Sequence, residues 1–139
     1  MNVEGLDRIQ AYFQTRKHRI QNPRPFFEKC IEILSASASK TWDMRGRPAW
    51  APRKDDKPHP LMEKTGRLRQ SMESRVATDD AVVKMSVASG DAWLEKGTSV
   101  FYGKFHQFGT RKMVARPFVQ LHDEDVEAIR KAEDYFFKD

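Results

Sequence analysis

Residues 72–87 read Met-Glu-Ser-Arg-Val-Ala-Thr-Asp-Asp-Ala-Val-Val-Lys-Met-Ser-Val, and their periodicity decides the fold class. Met72, Ser74 and Val76 alternate with polar or small residues. Val83, Met85 and Val87 alternate again, and Thr78-Asp79-Asp80 supplies turn chemistry between the two runs. Side chains two apart share one face of a strand, so the pattern predicts a β-hairpin over 72–88. A further strand is predicted at Ala92-Trp93-Leu94-Glu95, ending at Gly97.

On either side of this block the period changes from two to 3.6. Val3, Leu6, Ile9, Phe13 and Ile20 carry helical spacing, so an additional N-terminal helix is expected within 1–22. Asn22 before Pro23 reads as a cap, with proline accepted in the first turn of the helix that follows. That second helix is expected from Pro25 to Asp43, with Phe26, Phe27, Cys30, Ile33 and Leu34 as its apolar stripe. The run Ser35-Ala36-Ser37-Ala38-Ser39 either admits close approach of another element or lies exposed. A last helix is expected from Asp123 to Phe137. Its first-turn carboxylates complement the helix dipole, and Val126, Ile129 and Phe136 are assigned inward.

Between these elements lie two irregular stretches. Residues 44–62 contain Gly46, Pro48, Pro52, Pro58 and Pro60 and are expected to form a long Pro-rich loop, of a length that is uncommon unless the segment is functional or disordered. Trp50 in its middle either anchors the loop on the body or meets a partner. Phe101, Phe105 and Phe108 recur at i, i+4 and i+7, which predicts a short helix with Ser99 as its cap and Gly109 as its left-handed end. The proline after Arg116 holds that residue extended within Ala115-Arg116-Pro117-Phe118-Val119. Helices flanking a central antiparallel sheet define the α+β class, here as one domain over 139 residues.

Chemistry-bearing patterns are sparse. His18, His59, His106 and His122 form no ligand pair, and no phosphate loop or nucleophile elbow is present, so no catalytic, cofactor or metal residues are assigned. Tyr102 and His106, four apart on a helix, are the nearest thing to an acid–base pair; a polar helix face is the favoured reading. The lone Cys30 cannot form an intramolecular disulfide and is assigned to packing, which fits a reducing compartment. No signal-peptide core or membrane-length apolar run appears, so a cytoplasmic protein without a membrane partner is expected. The net charge of +5 is unevenly spread: residues 40–75 are basic and the C-terminal helix is acidic. Opposite patches suit head-to-tail association, which closes into rings where the rotation permits, although ordinary solvated faces give the same pattern. The basic segment could instead contact DNA phosphates, but no sequence-reading motif accompanies it.

Three segments together resemble a known family. They are Gly46-Arg47-Pro48-Ala49-Trp50-Ala51-Pro52, then Pro60-Leu61-Met62-Glu63-Lys64-Thr65-Gly66-Arg67-Leu68-Arg69-Gln70-Ser71, and then Tyr102-Gly103-Lys104-Phe105-His106-Gln107-Phe108-Gly109-Thr110 followed by Ala115-Arg116-Pro117-Phe118. In this order, over roughly 26–130, the chain is similar to the phage virion-morphogenesis family, which has a member in phage Mu, and to the tail-completion proteins of long-tailed phages. Gly103 departs from the family, which more often has alanine there.

The resemblance implies a non-enzymatic structural protein without cofactor, acting in tail completion or head–tail joining as a minor tail or neck component. Its implied partners are the tail tube, tail terminator or head–tail connector, and copies of itself in a ring. Its implied places are the host cytoplasm during assembly and then the virion tail or neck. The residues implied to matter are Trp50, Pro52, Thr65, Gly66, Leu68, Ser71, Tyr102, His106, Phe108, Gly109, Thr110, Arg116, Pro117 and Phe118, read first as scaffold. Thr65-Gly66 would turn into the sheet, and Phe118 would anchor the last helix on it. Trp50 with its basic neighbours would belong to an interface, on a loop that orders when it meets a neighbour. A basic nucleic-acid-binding module is the alternative.

Overall fold

A computed structural model of the chain describes residues 22–55, 57–88 and 91–137. The helix expected over 3–20 lies outside the described residues. The elements are α1 (Arg24–Asp43), α2 (Arg67–Glu73), β1 (Ala81–Ala88), β2 (Asp91–Thr98), α3 (Gly103–Phe108) and α4 (Asp123–Phe137). The α+β class holds: the chain combines helices with a two-stranded antiparallel sheet.

Helix α1 organises the molecule. It begins one residue earlier than expected, with Pro23 rather than Asn22 at the cap, and no side chain caps it. Pro25 removes one of the unpaired first-turn donors, and the Phe27 amide donates to the Pro23 carbonyl at 2.9 Å. Its N-terminal half buries Phe26, Phe27 and Cys30 against Ile129 and Ala132 of α4, with Met85, Val87, Ala92 and Leu94 of the hairpin packed alongside. Its C-terminal half buries Ala38 and Trp42 in a second cluster with Trp50, Met62, Leu68, Met72, Val100 and Phe118. The small residues between the two halves admit close neighbours. Ser37 is buried with its hydroxyl donating to the Asp125 carboxylate of α4 at 2.7 Å.

The hairpin lies later in the chain than the alternation suggested. Its strands pair from Ala81↔Thr98 to Ala88↔Asp91, so the strand read at 92–95 is the centre of β2, and β2 runs one residue past Gly97. Residues 65–71, whose sequence reads as a short turn or helical turn leading into strand, instead open the helix Arg67–Glu73, with Leu68, Ser71 and Met72 on the buried face. Spacings of three and four bury one side of a helix, and this burial overrides the chance alternation of Met72, Ser74 and Val76. Thr65-Gly66 therefore turns into α2 and not into the sheet: Gly66 is left-handed at φ 75° and stands at the cap. Thr78 does close a turn, its hydroxyl accepting from the Ala81 amide at 2.9 Å, but the turn leads into β1.

Helix α3 spans six residues. Ser99 does not cap it, since its hydroxyl donates to the Asp79 carbonyl at 2.7 Å; Tyr102 holds the cap position. Gly109 ends it at φ 72° and ψ 177°, a conformation outside the left-handed helical region and open to glycine alone. Helix α4 matches its expected bounds, with Val126 and Ile129 buried. Phe136, assigned inward, is instead 38% exposed at the edge of the Phe26 ring.

Candidate functional site

The segments that carry the family resemblance meet in one place. The Trp50 indole is buried, packs edge-on against Trp42 at 5.6 Å between centroids, and donates to the Pro117 carbonyl at 2.7 Å. Arg116, held extended by Pro117, donates to the Ala51 carbonyl at 2.9 Å and the Pro52 carbonyl at 3.1 Å. The first half of the Pro-rich loop is thus fastened to the strap 109–122 by side-chain donors that satisfy its own carbonyls. Trp50 is a packing anchor here: an indole buried inside its own chain cannot present itself to a neighbour. Phe118 contacts Trp42 at 5.5 Å, so it anchors the tryptophan cluster and not α4 on the sheet.

Gln107 ties the remaining motif to the same strap. Its side-chain oxygen accepts from the Phe118 and Val119 amides, both at 2.9 Å, and its nitrogen donates to the Val119 carbonyl at 3.1 Å. Gly103, on the same inward face, lies where a Cβ would come within 3.3 Å of Leu68 and 3.4 Å of the Phe118 ring. Ser71 Oγ sits 2.6 Å from the Leu68 carbonyl and 2.7 Å from Thr98 Oγ1, bridging α2 to the end of β2. Thr110 pairs with Met113 across a tight bridge, and its hydroxyl accepts from the Lys112 amide at 3.3 Å.

With Gly103 and Gln107 inward, the rest of α3 is free to face out. Tyr102 and His106 sit on a neighbouring face with their rings edge to face at 6.0 Å. Phe101, just before α3, and Phe105 and Phe108 within it face the solvent: they are 72%, 39% and 57% exposed. A row of phenylalanines on water is uncommon for a surface with no partner to cover it.

Tyr102 and His106 line a cleft of about 590 Å³ between the loop 53–68 and the strap. Among the described residues seven cations line it (Arg53, Lys54, Lys57, Lys64, Arg67, Lys112 and Arg116) against the carboxylate of Asp55. Leu61, Met62, Leu68, Met113 and Val114 supply the apolar lining. The arginines are already engaged. Arg53 pairs with Asp55 at 2.8 Å, Arg67 with Asp80 at 2.7 Å, and Arg116 holds backbone carbonyls. Lys54, Lys57, Lys64 and Lys112 make no ion pair among the described residues.

Burial and the nearby Arg116 charge push the His106 imidazole below its usual range. Its Nδ1 is buried with no hydrogen-bond partner among the described residues. Among the described residues, no three His, Cys, Asp or Glu side chains are grouped to hold a metal ion.

Elsewhere much of the charge contrast seen in the sequence is cancelled within the chain. Glu124 of α4 pairs with Lys40 at 2.9 Å and also with Arg47. Arg47 further donates to the Ser37 carbonyl and hydroxyl, both at 2.7 Å, and to Thr41 Oγ1 at 2.8 Å. Arg69 bridges Asp43, Glu63 and Glu73. The sequence places Arg47 and Arg69 in the basic middle of the chain and groups Gln107 with His106 and Tyr102; the structure turns all three to internal bonding.

Comparison of the chain with protein-family models, with curated proteins and with solved structures finds no match.

Proposed function

We propose that this chain is a non-enzymatic structural subunit of a tailed phage or prophage particle, acting in tail completion or head–tail joining by docking to other subunits, its own copies included. One observation carries the reading. The first and third of the sequence segments that resemble the virion-morphogenesis family are bound to each other through Trp50–Pro117 and Arg116–Ala51, 67 and 65 residues apart, and Met62 and Leu68 of the second pack in the same cluster as Trp50 and Phe118. A shared set of motifs that closes on itself is a scaffold; what it leaves outside is a ridge of phenylalanines and a lysine-lined cleft, the kinds of surface that meet partners. The proposed places are the host cytoplasm during assembly and the virion tail or neck. In keeping with this, no helix among the described residues is long and apolar enough to cross a membrane.

The test is deletion of the gene from a particle-producing lysogen, followed by electron microscopy. The expected products are heads and tails that fail to join, or tails of irregular length. Wild-type chain supplied in trans restores complete particles, and the folded variant Phe101→Ser/Phe105→Ser does not. Complete, infectious particles from the deletion strain would refute the proposal. The lysines of the cleft are the one feature favouring nucleic-acid binding instead, which predicts DNA affinity falling steeply with salt.

A further inference from the structure

We infer that the cleft between the Pro-rich loop and the strap 109–116 binds an extended acidic segment of a partner protein, with carboxylates on its lysines and an apolar side chain on Met113 and Val114. This rests on the docking role proposed above and names the chemistry of the partner.

The cations left without an ion pair set the chemistry of the partner. Arginine offers a planar fork that matches phosphate in two bonds, and lysine offers a compact point charge. In this cleft the forks are consumed internally, on Asp55, Asp80 and the carbonyls of the loop. What stays open is lysine: Lys54, Lys57, Lys64 and Lys112 are all exposed. A polyanion read by phosphate geometry would find its best partners occupied, whereas a carboxylate needs only a nearby ammonium.

The lining makes the second distinction. Leu61, Met113 and Val114 face the same space as the lysines, and Val114 is 48% exposed. A sugar–phosphate backbone gains nothing from such aliphatic groups, and bases stack on aromatic faces, whereas the cleft's rings are Tyr102, already packed against His106 at 6.0 Å, and the smaller imidazoles of His59 and His106. A peptide gains from both features at once: alternate side chains of an extended strand point to opposite sides, so one row can carry acids to the lysines while the other buries an apolar group. The volume of about 590 Å³ lies within the ~300–1,000 Å³ of pockets that enclose a bound molecule.

The test is fluorescence anisotropy with the full chain and three labelled probes: a peptide alternating glutamate and leucine, the same peptide with glutamine for glutamate, and single-stranded DNA of mixed sequence. The expected result is saturable binding of the acidic peptide and about tenfold weaker binding of the glutamine peptide. Lys57→Glu/Lys64→Glu should weaken the acidic peptide about tenfold or more, with the circular dichroism spectrum unchanged because both lysines are on the surface. Val114→Ser should weaken the peptide about threefold and leave any DNA binding unchanged, since it removes an apolar contact and no charge. The inference is overturned if the acidic peptide does not bind, if Lys57→Glu/Lys64→Glu binds it as well as wild type, or if DNA binds more tightly and is lost in the same variant. Failure here leaves the deletion phenotype of the previous section untouched, so the two readings fall separately.

Discussion

Replacing Gln107 by leucine removes three hydrogen bonds while nearly preserving volume. The Phe118 amide is buried and would be left with no acceptor, at a cost of about 1–3 kcal/mol. The Val119 amide and carbonyl are only partly buried, so water recovers some of their loss, leaving about 0.5–1.5 kcal/mol each. Together these give about 3 kcal/mol, a large share of the ~5–15 kcal/mol that holds a domain folded. For a chain of this size the midpoint of thermal unfolding should drop by roughly 10 °C. Urea unfolding followed by the fluorescence of buried Trp42 and Trp50 measures it directly. The midpoint should fall with the slope unchanged, since the surface exposed on unfolding is the same. Lys104→Ala, on the outward side of the same helix and touching only the Phe105 ring at 5.3 Å, is the control and should cost no more than about 0.5 kcal/mol. If Gln107→Leu is as mild as Lys104→Ala, the strap is not held by Gln107 and the account of the motif is wrong.

Among the glycines, a Cβ at Gly109 would lie 2.8 Å from the Ala115 nitrogen and the Met113 oxygen, and one at Gly46 2.6 Å from the Trp50 nitrogen. Alanine at either should cost more than about 2 kcal/mol in thermal or urea unfolding, against about 1 kcal/mol for Gly66→Ala, where the only neighbour is the Gln70 side chain at 3.6 Å. Gly103→Ala should be neutral or gain a few tenths of a kcal/mol, because helix propensity rises by about 1 kcal/mol while the Leu68 methyl at 3.3 Å must shift only slightly. Lys96 donates to the Met72 carbonyl, and burial pushes its ammonium down from 10.5 to about 8. The unfolded chain therefore binds more protons between those values, and stability rises with pH there. The gain should be at most about 1 kcal/mol by pH 9, read by urea titration, and absent in Lys96→Met. Burial and Glu133 raise the Cys30 thiol to about 12, so it should resist a thiol reagent at pH 8 in buffer and react fully in urea.

How far the sequence carried depended on whether a feature was local. Phe26, Phe27 and Cys30 at helical spacing give α1 from the pattern alone, and the acidic first turn of α4 marks its start. The hairpin was misplaced because Met72-Ser74-Val76 satisfies a two-residue period by accident. What makes 67–73 helical is Leu68 and Met72 meeting Trp42 and Val100, which are distant in the chain. The phenylalanines of α3 show the opposite limit. Their common face was legible, yet whether it points in or out is fixed by Gly103 and Gln107, residues that no hydrophobicity pattern assigns to a core. The cleft was invisible because its lysines come from 54–64 and 112, brought together only by the Arg116 and Trp50 bonds.

Two sets of residues emerge with different constraints on them. Trp50, Gln107, Gly109, Arg116 and Phe118 spend their polar and apolar capacity inside the chain; a change in any of them is a change in folding. The side chains of Lys57, Lys64, Phe101, Phe105 and Val114 lie at the surface, with the Lys57 charge near Asp55, Phe101 against Tyr102 and Lys104 over Phe105, so a change in them should alter docking far more than folding. Sites that share no partner contribute additively. Gln107→Leu should therefore lower stability by about 3 kcal/mol without moving the acidic-peptide affinity of the chain while it is folded. Lys57→Glu/Lys64→Glu should do the reverse, and the combined variant should show both effects at full size. A combined variant that departs from the sum by more than about 0.5 kcal/mol in either measurement would mean that the strap and the cleft move together, and the division between scaffold and docking surface would not stand.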